Sequence, residues 1–573
     1  MYGIDLYYGD NLTILRNPKY IKDESVDLVY IDPPFNSNAN YNVLFKEQNG
    51  ARAAGQIKAF TDTWRWDEAS SLAYDELIAS GGQIAQAIRA FRQLLGTSDM
   101  LAYLAMMAPR LVELHRVLKL TGSFYLHCDP AASHYLKILL DAIYGPAQFR
   151  NEIVWKRTTA HSGAKKFAPI HDVILYYSKS QQYVWNDLRS DYEVAYLDKY
   201  YRFDDGDGRL YWRDNLCAAG TRNGRSGVPW RGIDPAAKGM HWKYTVEKLD
   251  ELDAIGRIYW PSRGTMPQYK RYRDELKGKA IPDFWDDIDR INPVGNERQG
   301  YPTQKPLALL ERIIEASSNE GDVILDAFCG CGTAVVAAEE SKRRWIGIDV
   351  TYAAMAVIRN RLDTMFGPGT APKPIGEPET LEDATVLANT DRYQFQWWAL
   401  GLVGARPTEE KKGADRGIDG RLAFDDEDTG YLKEVIFSVK SGPIPSNHIR
   451  ELRGVIEREG APIGALLTFH SPTREMRREA ASAGTYDSPR WGKRYPRLQI
   501  LTIADLLAGK RLDCPPLSQV NRTMPAAPRQ KRPATTYQRP LPGANLVAVS
   551  KQEATAAPPL RAVGGKRARG TGD

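Results

Sequence analysis

A carboxylate, two prolines and a phenyl ring stand in a row at Asp32, Pro33, Pro34 and Phe35, directly after the apolar run of VDLVYIDPPFNS, residues 26 to 37. Prolines carry no backbone N–H and fix their own φ, so the chain after Asp32 is stiff and cannot continue a sheet ladder. The run VDLVYI predicts a buried strand that parks Asp32 at its carboxyl end. In open α/β sheets that end faces the crevice where ligands bind. A charged acceptor, a backbone carbonyl and a flat apolar ring are thereby gathered in one place.

A second stretch, DAFCGCGTA from Asp326 to Ala334, follows the apolar run VIL and precedes the helical pattern TAVVAAEES. Gly330 and Gly332 can make a tight turn that lets a ligand approach the backbone. The spacing is shorter than a dinucleotide fingerprint and lacks the lysine of a phosphate-binding loop, which disfavours nicotinamide cofactors and nucleoside triphosphates. Asp349 ends the next strand, WIGIDV, where a carboxylate suits the two hydroxyls of a ribose. A nucleoside-type ligand is expected there.

A third group lies in GADRGIDGRLAFDDEDTGYLKEVIFSVKSG, residues 413 to 442. Asp419 precedes a short apolar strand, and in EVIFSVK the alternate residues Glu434, Ile436, Ser438 and Lys440 share one face. An acid and a lysine can meet across such a hairpin.

These groups need scaffolds. A chain of 573 residues exceeds the size at which single cores stop growing, so two or three domains are expected. Residues 1 to 150 alternate apolar runs (IDLYY, VDLVYID, GSFYLHCD) with helical patterns such as AYLAMMAPRLVELHRVLK, as in a doubly wound sheet. From 151 to 300 the regularity fades into loops rich in aromatic and basic residues, among them Trp155, Lys156, Arg157, Arg263, Tyr269, Lys270, Arg271, Tyr272 and Arg273, the expected make-up of an inserted recognition module. Strand and helix return over 301–365, and the Pro/Gly-rich FGPGTAPKPIGEPE (366 to 379) predicts a linker within 366–384. A further unit spans 385–515, followed by a tail at 516–573.

Charge is concentrated in that tail: Ala526 to Asp573 carries nine Lys or Arg against Glu553 and Asp573, while the whole chain is only +6. Its Pro, Ala and Gly content predicts a solvated extension with a secondary attraction to polyanions. Five cysteines, an odd number, point to reduced thiols, and Cys329 and Cys331 are too close together for a zinc pair. No apolar stretch is long enough to span a bilayer and the start lacks a signal-peptide pattern, so a soluble cytoplasmic protein without a membrane partner is expected.

DPPF together with TQKP (Thr303 to Pro306), DAFCGCGT and the early GDN (Gly9 to Asn11) resembles the S-adenosylmethionine-dependent amino-DNA methyltransferases in their permuted beta order, over about residues 1 to 365. The resemblance implies a Rossmann-like α/β sheet with an inserted target-recognition region. It also implies an enzyme that methylates adenine in double-stranded DNA and works at the nucleoid. Asp32 and the Pro33 carbonyl would accept hydrogen bonds from the exocyclic amine, with Pro34 stiffening the turn and Phe35 stacking on a flipped base. Two acceptors hold the amine near tetrahedral geometry and localise a lone pair otherwise delocalised into the ring. Phe328, Gly330, Gly332 and Thr333 would line the methionine part of the cofactor, Asp349 its ribose and Asp10 its adenine side, with Asp326 also cofactor-binding and Lys305 beside that pocket. Asp at position 32 favours adenine, since 4-amino cytosine methylases commonly carry Ser there.

With the preceding FQWWALGLVGA, the segment 393 to 505 resembles Mrr-like restriction endonucleases, an α/β fold in which Asp419 would bind magnesium and Lys440 would orient the attacking water. Ser438 stands where that family usually has Glu, Asp or Gln, and a hydroxyl is a poorer metal ligand. The expected protein is an adenine methyltransferase of a restriction-modification or DNA-protection system, with a separate restriction subunit and a homodimer as admissible partners. Two alternatives stay open at this point: a restriction protein cleaving unmethylated DNA, and a cytosine 4-amino methyltransferase whose last domain only binds DNA.

Overall fold

The computed structural model describes residues 4–34, 40–46, 52–61, 66–159, 167–262, 266–292, 297, 304–408, 417–426, 432–516 and 546–548. Its largest sheet has eight strands: β1 (Ile4–Tyr8), β2 (Val26–Ile31), β3 (Leu118–Cys128), β4 (Phe149–Lys156), β5 (His171–Ser178), β6 (Phe284–Trp285), β7 (Val323–Asp326) and β8 (Arg344–Asp349). They lie side by side in the order β1-β8-β7-β2-β3-β5-β4-β6. β1, β8, β7, β2 and β3 are mutually parallel, whereas β5 runs antiparallel to β3 and β4. Every residue of β2 is buried, as a strand covered on both faces requires.

Strand order explains the placement of the chemistry. From β2 the chain moves outward to β3, and from β7 it moves the other way to β8, so the neighbouring carboxyl ends of β2 and β7 flank a topological switch point. Asp32 follows β2, Asp326 ends β7 and Asp349 ends β8. Three motifs far apart in sequence therefore meet on one rim. Polar ties fasten the two halves of the sheet: Asp27 Oδ2 accepts from Val323 N at 2.9 Å, and Asn11 Nδ2 donates to Ala327 O at 2.8 Å.

Residues 151–178, expected within the insert, instead supply β4 and β5. The run HDVILYYS is buried along almost its whole length, which fits a sheet interior better than a recognition loop. Trp155 is 1 % exposed, and its indole N–H donates to Ile288 O at 2.9 Å. It is a core residue rather than a base reader. The insert compacts as Asp187–Pro282. That unit has its own four-stranded sheet and a small core of Leu216, Trp230, Trp242, Leu249, Leu252 and Ile258. Tyr272 is buried in it, whereas Arg263 lies outside the described residues.

A second sheet is built from β9 (Arg406–Pro407), β10 (Gly420–Asp425), β11 (Leu432–Lys440), β12 (Ile463–Thr468) and β13 (Leu498–Thr502), in that order. β9 to β11 are antiparallel; β11, β12 and β13 are parallel. The Pro/Gly-rich segment before it does not hang free. Ile375 N donates to Leu6 O at 2.7 Å and Tyr8 N to Ile375 O at 2.9 Å, so the segment lies along the edge strand β1. Gly376, at φ +95°, permits this approach, because a Cβ there would stand 2.5 Å from Tyr8 O.

The two sheets also share apolar packing. Cys331, Tyr352 and Ala353 belong to one buried cluster with Phe395, Trp397, Trp398, Val435 and Phe437. Tyr352 N donates to Gln394 Oε1 at 3.1 Å. Gly401, in the helix Arg392–Leu402, packs so closely on Tyr352 that a Cβ would lie 2.2 Å from its hydroxyl oxygen. Gly401→Ala is therefore expected to lower stability by about 1–3 kcal/mol through overpacking. Gly454→Ala, in a helix with open space around the site, is expected to raise it by about 0.5–1 kcal/mol. Thermal and urea unfolding of both variants check this.

Candidate active site

The rim above β2, β7 and β8 holds a cavity of about 280 Å³, lined by Asp10, Asp32, Pro34, Lys305, Asp326, Phe328, Gly330, Thr333 and Asp349 among others. Each carboxylate is placed by a local device. Asp10 caps the helix Asn11–Leu15, accepting from Thr13 N at 3.0 Å, while Arg110 donates to its other oxygen at 2.6 Å. Burial pushes the Asp10 carboxyl up, but the Arg110 cation outweighs it and holds the group below the ordinary carboxylate range. Arg110 escaped the sequence reading; its one signal is a cation inside the apolar helix Asp99–Val117.

Gly330 and Gly332 form a tight turn. They have φ of +50° and +73°, and a Cβ on Gly332 would meet Ile358 Cγ1 at 2.7 Å. Asp349 sits beneath the turn: Oδ2 accepts from Gly330 N at 2.9 Å, and Oδ1 from Thr351 N and Oγ1 at 2.9 and 2.8 Å. With two donors already on Oδ1, Oδ2 is the oxygen that keeps acceptor capacity for a ligand hydroxyl. Burial raises the Asp349 carboxyl, partly offset by these donors. Asp326, 5 % exposed, accepts from Phe328 N at 3.0 Å; burial, reinforced by the charges of Asp32 and Asp349, pushes its carboxyl up to about 8. Thr333 faces the cavity but its hydroxyl also lies near Cys331 and Arg361, at 3.6 and 3.4 Å.

Asp32 is the distinctive group. Lys305 Nζ makes a short ion pair with its Oδ2, and Oδ1 is buried without a hydrogen-bond partner among the described residues. Lys305, expected on the cofactor side, lines the same cavity but reaches Asp32. Pro33 is buried and Pro34 half-buried; Phe35 lies outside the described residues.

Behind Asp32 runs a buried chain that sequence reasoning missed. Tyr30, two residues before Asp32 and hence on the same face of β2, pairs its hydroxyl with His127 Nδ1 at 3.1 Å. His127 Nε2 meets Asp172 Oδ2 at 3.2 Å. Burial and then the Lys305 charge hold His127 below its usual value, so it is neutral at pH 7. Burial would raise Asp172, but its bond to His127 and the charge of Arg157 outweigh that and leave it ionised. A histidine inside the apolar GSFYLHCD was the available signal.

The second acidic group lies on the other sheet. Asp419 accepts from Gln396 Nε2 at 3.0 Å, Ser438 Oγ at 3.2 Å and Val439 N at 2.6 Å, with Lys440 Nζ at 3.7 Å. The sequence-predicted Asp419, Ser438 and Lys440 are thus together. Glu434, the nearest substitute for the missing acid, is ion-paired with Arg421 at 2.6 Å. No group of three or more His, Cys, Asp or Glu able to hold a metal occurs among the described residues. They do not supply the second carboxylate that a magnesium ion would want here.

Comparison with known proteins agrees with this partition. A DNA methylase family model matches residues 26–359, and a restriction endonuclease family model matches residues 395–487. The Type II methyltransferase M.EcaI of Enterobacter cloacae is 36 % identical over 366 residues, covering 64 % of this chain and 70 % of that protein. The DNA adenine methyltransferase YhdJ of Escherichia coli is 25 % identical over 359 residues, 62 % of this chain and 82 % of that one. The Mod subunit of the Type III enzyme StyLTI from Salmonella typhimurium is 27 % identical over 58 % of this chain, which spans 49 % of its length. Among solved structures, M1.HpyAVI in complex with SAM aligns at 14 % identity over 63 % of this chain and 100 % of that one, with a TM-score of 0.28.

Asp326 yields a prediction on stability. Its folded value of about 8 lies above its unfolded value, so the folded chain binds the extra proton. Its stabilising contribution is full at acid pH and is lost as pH rises through about 8. Asp326→Asn, neutral throughout, is expected to flatten the decline between pH 5 and 8 by at most about 1.4 kcal/mol per pH unit. Urea denaturation at several pH values reads the difference.

Proposed function

The chain belongs to the DNA methylase family, with a restriction-endonuclease-like domain following the methylase region, and we propose that it transfers a methyl group from S-adenosylmethionine to the exocyclic amine of adenine in double-stranded DNA. The observation that carries this is Asp32: a half-buried carboxylate whose Oδ1 has no hydrogen-bond partner among the described residues, at the switch point it shares with a glycine-turn cavity.

The cavity suits the cofactor. Its lining brings together Asp10, Asp326 and Asp349, acceptors suited to ribose hydroxyls and amines, with Arg110 and Lys305 paired to Asp10 and Asp32. Bound there, S-adenosylmethionine supplies an electrophilic methyl group. Gly330 and Gly332 allow close approach to the backbone, Asp349 accepts from the ribose, Asp10 lies toward the adenine side, and Phe328 and Thr333 complete the wall. Asp32 Oδ1 and the Pro33 carbonyl accept the two amine hydrogens of the target base, which makes the nitrogen pyramidal and localises its lone pair. Phe35 is assigned the stacking role on the flipped ring. The compact unit Asp187–Pro282 is assigned target recognition, its Lys and Arg side chains meeting phosphates and base edges.

The wider setting is a restriction-modification or DNA-protection system, with a separate restriction subunit as partner; the similarity to a Type III Mod subunit supports this. The endonuclease-like domain is assigned DNA engagement. With a hydroxyl where a second metal-binding acid is needed, magnesium titration on unmethylated DNA is expected to give no nicking above background. Nicking that disappears in Lys440→Ala would contradict this.

Asp32→Ala is expected to lower methyl transfer at least about 1,000-fold, because it removes a preorganised acceptor at the reacting nitrogen. Its affinity for S-adenosylmethionine, measured by calorimetry, is expected to stay close to wild type. A variant that methylates at near wild-type rate would sink the mechanism.

A further inference from the structure

We propose that Lys305 is a positioning residue for methyl transfer rather than a cofactor ligand: it clamps one oxygen of Asp32 so that the other is the acceptor presented to the target amine. The inference rests on the assignment of Asp32 to the base. Three observations carry it. The ion pair joins Nζ to Oδ2, and both side chains are largely buried, at 10 % and 14 % exposure. Oδ1 is buried and has no hydrogen-bond partner among the described residues, an arrangement that folding alone disfavours and that a visiting donor would relieve. The backbone that carries Lys305 is itself pinned, because Glu297 Oε1 accepts from Leu307 N at 2.6 Å at the start of the helix Leu307–Ser317.

Lys305 approaches from a segment 273 residues away in sequence, so the carboxylate is fixed from outside its own stiff turn. A freely rotating carboxylate would offer either oxygen in many orientations. A clamped one offers a single direction.

The test measures single-turnover methyl transfer, together with S-adenosylmethionine affinity by calorimetry, for wild type, Lys305→Gln and Lys305→Arg. Lys305→Gln is expected to lower the rate about 100-fold. It should leave cofactor affinity near wild type. Lys305→Arg, which keeps the charge, is expected to restore part of the rate. Cofactor affinity falling in step with the rate would overturn the inference in favour of a cofactor ligand. No rescue by arginine would overturn it in favour of a purely structural role. A wild-type protein unable to methylate adenine would overturn the assignment of Asp32 beneath it, an outcome distinct from a fully active Lys305→Gln, which would overturn the role of Lys305 alone.

Discussion

The contact between Asp32 and Lys305 is the constraint on which the site depends. It is a largely buried ion pair between the turn after β2 and the segment before the helix Leu307–Ser317, and removing one partner leaves the other charge uncompensated. The chain must therefore leave the sheet, build the Asp187–Pro282 unit and return with Lys305 in register. Asp27 to Val323 and Asn11 to Ala327 fasten the same junction elsewhere. Together they hold the crevice between β2 and β7 in a fixed shape, so that the acceptor at Asp32 and the glycine turn at 330–332 face one cavity.

That cavity is electrostatically frugal. Four carboxylates gather around it, and the protein handles each differently. Asp10 is neutralised by Arg110 and Asp32 by Lys305; Asp349 is satisfied by backbone and hydroxyl donors; Asp326 is left to hold its proton to about pH 8. The pocket thus avoids accumulating four full negative charges and still favours a cationic ligand. The neighbouring sheet is tied to this arrangement. The helix Arg392–Leu402 bonds Tyr352, three residues past Asp349, through Gln394, and bonds Asp419 through Gln396. Modules with separate family resemblances are physically one packed body at that seam.

Much of this was legible in the sequence because local rules govern it. The buried run before DPPF, the positive-φ glycines of DAFCGCGT and the hairpin that brings Asp419 to Lys440 all follow from periodicity and turn chemistry. What escaped notice depends on tertiary pairing. Nothing local distinguishes His127 from a stray polar residue in an apolar strand, and only the alignment of β2, β3 and β5 brings Tyr30, His127 and Asp172 together. Lys305 reads as part of TQKP, but its partner is set by the sheet junction. The segment 366–379 reads as a linker because Pro and Gly dominate it; its attachment to β1 uses backbone groups, which composition does not reveal. Trp155 reads as an exposed ring among cations, yet its strand is central enough to bury it.

The central claim is that this site methylates the exocyclic amine of adenine. The most direct measurement incubates the purified protein and unmodified double-stranded DNA with S-adenosylmethionine bearing a deuterated methyl group, then digests the DNA and identifies the labelled nucleoside by mass spectrometry. The predicted product is deoxyadenosine carrying the label on its 6-amino nitrogen. Label on the 4-amino nitrogen of deoxycytidine, or no label at all from a protein that binds the cofactor, would contradict the account.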